Sequence, residues 1–134
     1  MTENNMTGLL LQLADLGVTG IKVFYSGGGD SGAIDDIVYT TRKVTNFEDI
    51  NYLNNYGMDV FYLKDLDSAL NQDIENFAEE KILNDIEDWW NNDGGYGTLL
   101  IAIPSGNYKI YNSIYISNTE EFTHNGNLIN QSLN

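Results

Sequence analysis

The sequence predicts an α+β fold: a single antiparallel sheet of two β-hairpins (about four strands), with an N-terminal helix and a long acidic helix packed on one face. Three observations predict it. Apolar residues recur at helical spacing near the N-terminus and again over residues 65–90. Two pairs of β-branched and aromatic runs double back around turn-forming segments. The 134 residues suit one domain, expected to span 1–134, and a 42% hydrophobic content supplies its core.

Met6, Leu9, Leu10, Leu13 and Leu16 lie three and four residues apart, the period of one helix face, and Gly17 follows as a stop. Ile21-Lys22-Val23-Phe24-Tyr25 and the run from Ile34 to Thr41 read as strands of the first hairpin, joined by a glycine-rich loop over 27–32. That loop is longer than a two-residue turn requires. Phe47, Ile50 and Leu53, spaced by three, predict a short helix before Gly57, and Met58 to Leu63 reads as an extended edge segment.

The clearest stripe is Leu66, Leu70, Ile74, Phe77, Ala78, Ile82, Ile86, Trp89 and Trp90, with Asp65 or Asp67 able to cap the helix start. Asn91-Asn92-Asp93-Gly94-Gly95 ends it. The period then changes to two. Residues 98–103 lead through Pro104-Ser105-Gly106-Asn107 into a return run with Tyr108, Ile110, Asn112, Ile114 and Ile116 on one face and Lys109, Tyr111, Ser113, Tyr115 and Ser117 on the other. Residues 118–134 read as a polar, partly loose tail.

Composition excludes several chemistries. With no cysteine there is no disulfide framework, thiolate zinc site or cysteine nucleophile, and one histidine cannot build a multi-histidine metal site or a histidine relay. Twenty acids against six bases give a net charge of −14, which opposes direct binding to nucleic-acid phosphates or anionic lipid and favours a basic protein partner or a cation. The N-terminal residues carry no base, and Gln12 and Asp15 interrupt the apolar run after Leu9, so neither a signal peptide nor a membrane span is expected. The expected location is the cytoplasm.

Gly29-Asp30-Ser31-Gly32 resembles the segment around the nucleophilic serine of trypsin-like proteases, but that chemistry needs a histidine and an aspartate preceding the serine on a much longer chain. Here the single His124 lies near the other end. A phosphate loop fails too, because no lysine lies nearby and a strand rather than a helix follows. Asp30, Asp35, Asp36 and Asp93, with the carbonyls of the glycine-rich segments, are hard oxygen donors suited to calcium or magnesium, and the metal candidates are Asp30, Asp35 and Asp93. No glutamate closes either loop at calcium-loop spacing, and aspartates in such turns commonly bond their own backbone.

Trp90, Asn92, Asp93 and Tyr96, with Asp30 and Ser31 from the other loop, could line a recognition pocket, although a helix end anchored in the core and followed by a tight loop is the simpler reading of the Trp89–Gly97 segment. Glu120, Glu121 and His124 form a small polar cluster, most simply solvated. The acidic helix is the strongest physical signal. Residues 65–93 hold ten acids against Lys81 alone, nine of the fourteen net negative charges. Such a stripe crudely imitates the line charge of a nucleic acid and can steer a basic groove, although a merely soluble helix face has the same composition. The partner-binding candidates are Asp73, Glu79, Glu80, Glu87 and Asp88.

Gly-Val-Thr-Gly-Ile at 17–21, Gly-Gly-Asp-Ser-Gly at 28–32 with Ile34, and Trp-Asn-Asn-Asp-Gly-Gly-Tyr-Gly at 90–97 together resemble an uncharacterised family of small bacterial and phage proteins. The resemblance implies paired Gly-Asp-Ser-Gly and Trp-x-Asn-Asp-Gly-x-Tyr-Gly loops flanking a helix and transfers no chemistry. Acidic phage inhibitors of nucleic-acid-binding defence enzymes are similar only in charge and size. The expected function is therefore a small acidic binding module without catalysis or cofactor. Its partner is a basic protein surface rather than nucleic acid or membrane. The alternative is a Ca- or Mg-binding or small-ligand domain, with possible hydrolytic activity, using the Asp30 and Asp93 loops. A second alternative is a minor virion or assembly component that packs through a Tyr111 and Tyr115 edge.

Overall fold

The computed structural model describes residues 5–28, 31–53, 60–83, 94–103, 105–115 and 119–128. Its elements are α1 (Asn5–Asp15), β1 (Gly20–Gly28), β2 (Ser31–Thr40), α2 (Phe47–Asn51), a 3₁₀ turn (Leu63–Asp65), α3 (Ser68–Phe77) and a π-turn (Ala78–Ile82). The strands β3 (Gly95–Ala102), β4 (Asn107–Tyr115) and β5 (Thr119–Asn127) follow. One antiparallel sheet runs in the order β2-β1-β3-β4-β5.

The sheet therefore has five strands rather than about four. The additional one is built from what reads in sequence as a loose tail: β5 pairs with β4 from Asn107↔Asn127 to Tyr115↔Thr119. Its polar side chains suit a strand that borders water on its outer side. β4 is consequently internal, and Tyr111 and Tyr115 do not lie on the sheet edge. The first hairpin is also corrected. Its glycines extend the ladder, with Gly27 opposite Gly32 and Gly28 opposite Ser31, because backbone pairing needs no side chain. A register shift at Phe24/Tyr25 leaves Asp35 as the extra residue of a bulge.

On one face, Leu9, Leu10 and Leu13 of α1, Leu70 and Ile74 of α3 and Ala78 of the π-turn join Ile21, Val23, Leu99, Ile101 and Ile110 in the main core. Asp67 caps α3, its carboxylate accepting the Leu70 N–H at 3.0 Å. The π-turn then rotates the chain so that Ile82 and its neighbour Leu83 are both buried. The long helix expected over 65–90 is described only as far as residue 83, as this α3 and π-turn.

The opposite face is covered at one end. Val38, Ile50, Leu53 and Leu100 form a second core, with Phe47, Val60 and Tyr62 against it. The short helix predicted around Phe47 and Ile50 is α2. A capping box starts it: the Asn46 side chain accepts from Glu48 and Asp49, while the Asp49 carboxylate accepts the Asn46 N–H. Of the extended segment expected over 58–63, Met58 and Asp59 lie outside the described residues, and Phe61 joins the β2 edge through a two-bond bridge with Tyr39. Lys22 ties α2 to the sheet, its Nζ donating to the carbonyls of Asn51 (2.5 Å) and Leu53 (3.0 Å) and lying 5.0 Å from the Phe24 ring centroid. Burial holds this amine below the ordinary lysine range.

Candidate functional site

The sequence-predicted binding residues lie partly on one ridge. α3 buries Leu70 and Ile74, so its outer face falls to Asp73, which is exposed; Glu80 of the π-turn is exposed and Glu79 half-buried. Asp65 and Asp67 extend the exposed acids toward the start of α3. Glu87 and Asp88 lie outside the described residues. Between α3 and the β2 edge, Asp35, Asp36 and Glu75 line a cleft of about 70 Å³ together with Lys64 and Asn71. Beside it the Tyr39 hydroxyl donates to Asn71 Oδ1 at 2.8 Å. Burial, and then the Glu75 charge, push the Tyr39 phenol far up.

Of the two-loop site, Asp30, Trp90, Asn92 and Asp93 fall outside the described residues, and Ser31 opens β2 opposite Gly28. Tyr96 lies on β3 and is 43% exposed. Asp35 stands at the bulge, where the Ser26 hydroxyl donates to its Oδ2 at 2.6 Å. Asp36 uses Oδ1 to accept the Ile37 N–H at 3.0 Å. Among the described residues, no three of His, Asp and Glu converge as metal donors. His124, expected in a solvated tail, instead sits half-buried in β5 opposite Ile110. Glu121 is exposed on the same strand, opposite Ser113.

What sequence reasoning missed is a trough across the second face of the sheet. α2 and its flanks cover the end around Val38 and Leu100. Beyond Asn51, two adjoining hollows of about 330 and 320 Å³ share Thr98, Tyr111 and Ser113. Phe24, Ser26, Asp35 and Tyr96 complete the first, and Asn51, Glu121 and Thr123 belong to the second. Strand register explains the alignment. Phe24, Thr98, Tyr111 and Thr123 face one another across four strands, and Ser26, Tyr96, Ser113 and Glu121 form the adjacent row. The signal was present in period two: Lys22-x-Phe24-x-Ser26, Tyr96-x-Thr98 and Lys109-x-Tyr111-x-Ser113 alternate with residues of the opposite face, among them Val23, Tyr25, Leu99 and Ile110 of the main core.

The aromatic rings of this face already meet cations, Lys22 over Phe24 and Lys109 5.2 Å from the Tyr111 centroid. No described helix is long and apolar enough to cross a membrane.

Comparison with known proteins returns a family and no individual relative. No curated protein and no solved structure matches the chain. A family model matches residues 1–126, nearly the whole sequence, and the chain therefore belongs to the family of unknown function DUF6878.

Proposed function

We propose that the protein is a small, non-enzymatic acidic binding module whose α3 ridge engages a basic protein surface. The carrying observation is the orientation of α3: its apolar stripe is locked into the main core, which holds Asp73 and the acids flanking it on the outer surface as a fixed array. A rigid carboxylate row with a net charge of −14 behind it attracts a cationic groove over several ångströms and orients it before contact. Proteins whose own ligand is nucleic acid present such grooves. An inhibitor of a nucleic-acid-binding defence protein, encoded by a phage or mobile element, is the role that fits.

The test is affinity capture from host lysate at 0.05 and 0.5 M salt, between which the screening length falls from about 14 Å to about 4 Å. Capture should be lost at the higher salt, and duplex DNA should release the captured protein at the lower. Replacing Asp73, Glu79 and Glu80 together by lysine should abolish capture while circular dichroism stays unchanged. Salt-indifferent capture, or capture by the charge-reversed protein, overturns the reading.

A further inference from the structure

The trough on the opposite face offers a different recognition surface. It crosses the sheet at right angles to the strands, and the five strands set its length at about 19 Å, four spacings of about 4.8 Å. Carboxylates stand at its two ends, Asp35 at the β2 bulge and Glu121 on β5; among the described residues no base lines either hollow, and the nearest cations, Lys22 and Lys109, are held against the Phe24 and Tyr111 rings. Between them lie Tyr96, a residue 43% exposed, and the side chains of Thr98 and Ser113. Asp35 is oriented by the Ser26 hydroxyl, which leaves its other oxygen as an acceptor.

We propose that this trough seats an extended, arginine-bearing segment of a partner protein, one guanidinium at Asp35 against Tyr96 and a second at Glu121. Guanidinium fits better than ammonium because its plane stacks on an aromatic ring while its edge forks a carboxylate. An extended chain advances about 3.3 Å per residue, so arginines at the ends of about six residues reach both carboxylates. The surface goes beyond the α3 ridge, which packs on the other side of the sheet, and stands or falls separately from it.

The experiment is a nuclear magnetic resonance titration of the ¹⁵N-labelled full chain. The probe is an acetylated, amidated hexapeptide with arginine at each end and glycine and serine between, and its control carries citrulline at both ends. The arginine peptide should shift the amides of Ser26, Thr98, Tyr111 and Ser113 saturably, and the citrulline peptide should bind roughly tenfold more weakly. Asp35→Asn with Glu121→Gln should weaken binding at least roughly threefold, and so should Tyr96→Ala. Asp73→Asn with Glu80→Gln should leave the trough shifts unchanged. Equal response to citrulline, or indifference to both sets of trough variants, overturns the proposal. Shifts confined to α3 overturn it while leaving the ridge reading intact.

Discussion

Gly97 shows how one residue sets the sheet's packing. A Cβ built there would collide with the Tyr111 carbonyl oxygen and the Tyr25 hydroxyl and would lie 2.7 Å from Tyr25 Cζ. The absent side chain is what lets the buried Tyr25 cross β3 and donate to Asn112 Oδ1 at 2.8 Å. Gly97→Ala must shift backbone as well as ring, so a loss of about 3 kcal/mol is expected, as an earlier urea midpoint with an unchanged slope. Tyr39 gives a prediction in pH. Its folded phenol is held well above the ordinary 10.0, so above pH 10 the unfolded chain releases a proton that the folded chain keeps. The folded state then binds more protons, and stability falls as pH rises past 10. Tyr39→Phe should cost about 1 kcal/mol near neutrality, through the lost bond to Asn71, yet decline less steeply from pH 9 to 11. Urea unfolding across that range, wild type against variant, checks it. Lys22, lowered by burial, tilts the same window the other way but is common to both proteins and cancels.

At the level of elements, legibility followed side-chain periodicity and failed where backbone carries the structure. α1, α2 and α3 from Leu70 onward were readable because apolar residues mark the buried side of a helix, whereas Leu16 and Leu66, which continue the same spacing, fall outside the helices and are exposed. β5 was not, since Thr119-Glu120-Glu121 through Asn127 has little to bury and is held by its ladder to β4. The glycines of the first hairpin failed for the same reason. The second covered face did leave a trace: Leu99-Leu100-Ile101 and Ile37-Val38-Tyr39 are apolar without alternation, the mark of strands packed on both sides. That Phe47, Ile50, Leu53, Val60 and Tyr62 supply the cover was not readable, because Lys22 and its two carbonyl partners are about thirty residues apart and no local spacing joins them. The candidate site divides likewise. The ridge was visible in charge alone, whereas the trough exists only once five strands are in register.

For the molecule as a whole, one charge imbalance acts on folding and on binding with opposite signs. A net charge of −14 on 134 residues repels itself most strongly in the compact state, so salt should stabilise the fold by screening. Attraction to a cationic partner is screened by the same ions and should weaken. Asp49 opposes the first trend only in acid. Its carboxylate accepts the N–H groups of Thr45 and Asn46, which hold it below the ordinary aspartate range, so that part of the stability is lost as pH falls through its folded pKa. At pH 7 it is ionised, and the salt effect stands apart from it. Raising sodium chloride from 0.02 to 0.5 M should therefore lift the melting temperature by about 3–6 °C, roughly 1 kcal/mol for a chain of this size, read by circular dichroism or calorimetry. Capture at the α3 ridge should fall over the same interval. The pairing is what gives the measurement force: a complex that dissociates while its protein becomes more stable has lost an electrostatic contact, not its fold. A melting temperature that falls with salt would mean that the carboxylates are compensated within the folded chain, and the ridge would then have no surplus field with which to draw a partner.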